Sequence, residues 1–174
     1  MSFSTLSPER CENESGGFFQ HPAMDLRQSF PRSMRVQLEG YVHLARMLDK
    51  CRAVLAGTEG EYIFPCPMDD RLMEFAGIEA NQFIAAVKAN PSDEAVAKWF
   101  TQTAKAHPPA ELEAWNRMML NRGPSTPEKQ EYFNKLRDAI DPSRTNLTSW
   151  ADLQDLEEGR FTRSHKTSSP FSQA

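Results

Sequence analysis

Apolar residues recur at spacings of three and four through residues 36–56, at Leu38, Tyr41, Leu44, Ala45, Leu48, Cys51 and Leu55. That period predicts one amphipathic helix with a single buried stripe. His43, Arg46, Lys50 and Arg52 fall largely off the stripe, and Gly57, which tolerates positive φ, is expected to end the helix. A turn over 57–60 then leads into residues 61–67, EYIFPCP, where Phe64 and Cys66 both precede prolines and are held extended. We expect a short strap or strand there.

Asp69 is expected to cap a short helix with Leu72, Met73 and Phe75 inward and Gly77 as its stop. Residues 79–89 form the next, carrying Phe83, Ile84 and Val87 up to Asn90-Pro91. Ser92 caps a helix over 93–106 with Val96, Trp99 and Phe100 inside. Residues 109–121 follow, with Leu112, Trp115, Met118 and Met119 inward. Thr126-Pro127 opens another, with Tyr132 or Phe133, Leu136 and Ile140 facing the core. Thr148 is expected to cap a last short helix anchored by Trp150, Leu153 and Leu156. Upstream, residues 23–35 read as an extended arm with Leu26 and Phe30 as anchors, since Pro31 opposes a helix there. No repeat and no sustained alternation is present. The expected fold is all-α, one irregular bundle of about seven helices over 23–159 with a short strap between the first two.

Composition trims this picture at its ends. Apolar residues make up 39% of the 174, and the deficit is concentrated in residues 1–22 and 160–174, which read as a disordered leader and tail. Net charge is −4 with both signs interspersed, which argues against a nucleic-acid footprint. No apolar run reaches the roughly 18 residues of a membrane span, and no basic start precedes an apolar run, so a cytoplasmic location is expected. Cys11, Cys51 and Cys66 are odd in number and lack CxxC spacing, which suits reduced thiols. His21, His43, His107 and His165 are scattered, so neither a metal nor another cofactor is expected.

Several short strings sit together in an order of their own: Gly40-Tyr41-Val42-His43-Leu44, Leu48-Asp49-Lys50, Arg52-Ala53, Gly60-Glu61-Tyr62, Cys66-Pro67, Gly77-Ile78, Ala114-Trp115-Asn116 and Arg122-Gly123-Pro124. Their combination, over roughly residues 25–159, resembles a family of small bacterial proteins known only as domain of unknown function 5069. The chain departs from that pattern at Ala45, Glu59 and Pro65, where proline, leucine and a polar residue are expected. The resemblance implies a family and no activity.

Chemistry is therefore sought in single residues. Cys66 reads first as a small apolar plug between Phe64 and Met68. Its second reading is a thiol presented at a helix start, with His43 as its base. Asp49, Lys50, Arg52, Glu61 and Tyr62 read first as ion pairs that fix the turn on the helix, Arg52 with Glu61 for instance, and second as the lining of a pocket. Asp49, Asp69 and Asp70 form a possible carboxylate cluster for magnesium, but capping explains Asp69 more simply. Trp99, Trp115 and Trp150 have helical spacing and read as core. Two glycines and two prolines within residues 57–67 specify backbone geometry that helix packing alone does not require. The expected function is accordingly a binding module for a protein or small molecule, working through residues 58–70, with His43, Asp49, Lys50, Arg52, Glu61, Tyr62, Cys66 and Asp69 as candidate binding residues. The alternatives are a small enzyme using Cys66, or His43 with Glu61 as an acid–base pair, and weak nucleic-acid association through the basic tail.

Overall fold

A computed structural model describes residues 24–161; the expected leader 1–22 and nearly all of the expected tail fall outside them. Seven helices run in order: α1 Leu44–Ala56, α2 Pro67–Ala76, α3 Ala80–Ala89, α4 Asp93–Thr103, α5 Pro109–Leu120, α6 Pro127–Ile140 and α7 Trp150–Glu157. The fold is all-α, and the described residues contain no strand beyond one isolated Leu38–Tyr41 bridge. The turn chemistry explains most boundaries. Ser92, Thr126 and Ser149 each accept a backbone N–H from the first turn that follows, and Pro109 and Pro127 sit where their missing N–H costs nothing. The cap of α7 is Ser149, one residue beyond the expected Thr148.

The first helix begins eight residues later than its apolar period suggests. Residues 38–41 instead close a tight hairpin, with Leu38 and Tyr41 exchanging N–H···O bonds of 3.1 and 3.0 Å, and Glu39, Gly40 and His43 at positive φ. Asn116 of α5 makes this possible. Its Oδ1 accepts from Val42 N at 3.2 Å and its Nδ2 donates to Gly40 O at 2.7 Å, supplying partners that helical bonding would otherwise have provided.

Helix α1 is the centre of the molecule. Leu44, Met47, Leu48 and Cys51 pack with Leu72 and Ala76 of α2, Phe83 of α3, Phe100 of α4 and Met119 of α5. Phe75 lies stacked between His107 at 3.9 Å and Trp115 at 4.7 Å, while Phe133 and Trp150 meet edge-on at 5.3 Å to join α6 to α7. Four expected anchors are instead exposed, Phe30, Leu55, Met118 and Ile140, and of the alternatives Tyr132 and Phe133 it is Phe133 that is buried. In α5 and α6 the neighbouring side chain holds the core position, Met119 beside Met118 and Phe133 beside Tyr132, whereas Leu55 and Ile140 lie in the exposed last turns of α1 and α6.

Candidate functional site

The polar residues of α1 are not on a solvated face. His43, Arg46 and Lys50 recur at three and four, form a second stripe, and are as buried as the apolar one: His43 is 0% exposed and Arg46 and Lys50 are each 3% exposed. Charges withdrawn from water this far must find partners. Lys50 Nζ donates to Asp69 Oδ2 at 2.6 Å, to Cys66 Sγ at 3.0 Å and to Ile63 O at 3.3 Å. The other oxygen of Asp69 faces His43 Nε2 at 2.8 Å. The strap between α1 and α2 thus folds back so that Cys66 and Asp69 meet the middle of α1.

Asp69 reaches this position as the third residue of α2, not as its cap. Cys66 is the cap residue, and its backbone N–H donates to Asp69 Oδ2 at 2.8 Å, completing a reciprocal box at the helix start. Burial alone would raise the Asp69 carboxyl. The hydrogen bond from His43 and the charge of Lys50 outweigh it and hold the group at about 2. Burial lowers His43 from its ordinary 6.5 despite the opposing pull of Asp69. The carboxylate is therefore charged and the imidazole neutral at pH 7, so Nε2 must carry the proton that it donates. Nδ1 is left as a bare acceptor with no partner.

Arg46 closes the same stripe one turn earlier. It makes a two-point pair with Glu158 beyond α7, 2.6 and 3.0 Å, and its guanidinium lies over the Tyr62 ring at 5.5 Å. Tyr62 donates its hydroxyl to Glu158 Oε1 at 2.9 Å. Burial, then the Glu158 charge, pushes that phenol up to about 12 and keeps it a donor. Arg160 also pairs with Glu158.

Above these groups opens a concavity of about 880 Å³, walled by the arm from Leu26 to Phe30, the strap from Gly60 to Ile63, and Gln154, Glu157 and Glu158. Its size is that of a small-molecule site. Arg46, Lys50 and Cys66 line it, as do Glu61 and Tyr62. Gly60 is required at its rim: φ is +60°, and a Cβ there would stand 3.2 Å from Leu26 O. Gln154 Oε1 is buried in the wall without a donor, and exposed Phe30 and Ile63 add apolar surface at the mouth.

The structure separates the expected site residues into three groups. Lys50, Glu61, Tyr62 and Cys66 line the concavity, while His43 and Asp69 lie beneath it. Asp49 and Arg52 belong elsewhere, because one step along α1 turns them to another face. Asp49 accepts three bonds from Arg32, one from its backbone N and two from its guanidinium, and Asp93 at the start of α4 pairs with both Arg32 and Arg52. The expected Arg52–Glu61 pair is not formed; Arg52 instead meets Asp93, whose carboxyl is lowered because Arg52 and Arg32 outweigh its burial. Cys51 is sealed in the core and pushed up to about 12 by burial, then by the Asp69 charge.

Among the described residues, one group of three offers ligand atoms to a metal. His43, Cys66 and Asp69 bring them within 4.8 Å of one another. Lys50 Nζ already donates to two of these groups, so a metal ion among them would have to displace a buried ammonium. Arg46, Gln154 and Glu158 escaped the sequence reading. For Arg46 the signal was present, since it shares the three-and-four spacing of His43 and Lys50. Glu158 lies 112 residues from Arg46, and nothing in the sequence near either residue joins them.

The chain belongs to the family described as a domain of unknown function, DUF5069, whose model matches residues 28–160. That span includes the arm from Gln28 onward, the strap, the buried stripe of α1 and Glu158. No curated protein matches the chain. No helix among the described residues is long and apolar enough to cross a membrane.

Proposed function

We propose that this member of the family is a small-molecule binding protein of the cytoplasm, and that its ligand is a zwitterion of the amino-acid or short-peptide kind. The observation that carries the reading is the concavity's lining: three basic side chains, Arg27, Arg46 and Lys50, and three acidic ones, Glu61, Glu157 and Glu158, in one ligand-sized space. A lining of one sign would favour a phosphate or a polycation; a lining of both signs favours a ligand that carries both. For the same reason it favours a nucleic-acid partner poorly. Gln154 Oε1 and exposed Glu61 suit the ammonium, the guanidinium edge that Arg27 keeps beyond its pair with Asp25 suits the carboxylate, and Phe30 with Ile63 suits an apolar side chain.

Thermal-shift measurements test this directly, using free amino acids and di- and tripeptides, each beside its N-acetylated and C-amidated analogue. A zwitterion should raise the melting temperature and either blocked analogue should raise it less. No rise for any zwitterion at millimolar concentration, or equal rises for the blocked compounds, would sink the reading.

A second reading, thiol chemistry, rests on the contact of Lys50 Nζ with Cys66 Sγ at the floor of the same space. The pairing of His43 with Glu61 gains less support, because Glu61 is exposed on the wall while His43 lies sealed beneath Asp69.

A further inference from the structure

Cys66 differs from Cys51 in exposure, in its place on the fold and in the charged group against its sulfur. Its side chain is partly exposed and lines the concavity, whereas Cys51 is in the core. It occupies the cap position of α2, where backbone N–H groups point outward and the helix dipole favours negative charge. A buried ammonium, Lys50 Nζ, stands 3.0 Å from its sulfur and is fixed there by Asp69, which His43 holds in turn. Asp69 compensates the Lys50 charge, but neither that pair nor a plug between Phe64 and Met68 requires the ammonium to stand against the Cys66 sulfur as well.

We propose that Cys66 is a thiol–disulfide exchange site for zwitterionic low-molecular-weight disulfides, which the concavity takes up and the sulfur on its floor attacks. The inference rests on the zwitterion reading of the same space and names the class of ligand within it. The Cys66 thiolate attacks one sulfur of the incoming disulfide, and the bond between that sulfur and its mate breaks. A new S–S bond joins Cys66 to the first half. The second half leaves as a thiolate and takes a proton from water. Cys66 is oxidised and the leaving sulfur reduced, so the incoming disulfide is the only oxidant needed. The retained half keeps its carboxylate and ammonium within the mixed-charge walls. Lys50 stays anchored on Asp69 and Ile63 O throughout, so the step requires no buried charge to lose its partner.

The test is incubation of the full chain with glutathione disulfide at pH 7, followed by peptide mapping by mass spectrometry to separate Cys11, Cys51 and Cys66. One glutathionyl adduct is expected, on Cys66, forming several-fold faster in the folded protein than on the same residue in urea. Cys66→Ser should lose it, and Cys51→Ala should leave it unchanged. K50M with D69N, which removes both charges together, should slow it several-fold, with circular dichroism confirming the fold. Adducts confined to Cys11 or Cys51, or a Cys66 rate no higher than in urea, would overturn the proposal. Binding of S-methylglutathione to Cys66→Ser, measured by calorimetry, separates the two claims. Binding without exchange in the native chain rejects only the exchange. Fast exchange at Cys66 without such binding rejects the exchange site proposed here as well as the zwitterion reading, since uptake by the concavity is part of it.

Discussion

Asp69 is 0% exposed, yet it compensates a buried lysine, orients a histidine and closes the first turn of α2. Asp69→Asn keeps its shape and removes its charge, leaving Lys50 buried and unpaired, and should destabilise the fold by about 3–5 kcal/mol in urea unfolding. Removing Lys50 as well, by K50M, should restore about 1–3 kcal/mol of that loss, because the two substitutions share one interaction. If the double variant is as unstable as the sum of the singles, the pair is not coupled as described.

His43 predicts how stability depends on pH. Burial leaves it holding a proton more weakly when folded than the 6.5 of the open chain, so the unfolded state binds more protons as pH falls below 6.5. Stability should therefore decline from about pH 6.5 downward. Asp69 acts in a lower window: its contribution is present above its ordinary 3.8 and is lost as pH falls towards about 2. His43→Gln presents a donor near Nε2 without titrating, so the upper decline should vanish and the lower one remain. An unchanged slope between pH 6.5 and 5 would remove His43 from the account.

At the scale of elements, the helices with local punctuation were legible, and those shaped by distant partners were not. Ser92, Pro109 and Thr126-Pro127 mark α4, α5 and α6 in the sequence because the groups that satisfy the first turn lie within it. The start of α1 was missed because Asn116, over seventy residues away, bonds the hairpin that replaces its first turns. The stripe of His43, Arg46 and Lys50 was readable as a face, but not as a buried one, since burial depended on Asp69 and Glu158 arriving from later elements. Cys66 and Asp69 were readable as candidates, and Lys50 between them as a contact was not. The join of α5 to α7 shows the same dependence. Trp150 N donates to Arg122 O at 2.9 Å, and a Cβ on the next residue, Gly123, would lie 2.5 Å from Thr148 O. Gly123→Ala should force that loop apart and cost about 1–3 kcal/mol, read as a lower urea midpoint. A neutral effect would show that the loop yields freely.

Across the whole molecule, the two ends of the described chain close over one side of α1. Pro31 O accepts from Arg160, Arg35 reaches Asp152 and Asp155, and Arg46 with Glu158 bridges the first turn of α1 to the end of α7. This closure builds the concavity, because the arm and α7 supply two of its walls and the strap the third. The candidate site and the fold thus share the same charges on α1, so substitutions at Lys50 or Arg46 are expected to change stability as well as the lining of the concavity. The claim that this space takes a zwitterionic ligand is tested most directly by an amide-resolved NMR titration of the full chain with S-methylglutathione. The account predicts saturable shifts clustered at Gln28, Gly60, Tyr62, Cys66 and Gln154, weakened in Glu61→Gln. Shifts that are absent, or that gather instead at the smaller recess between Asp70 and Ala80, would contradict it.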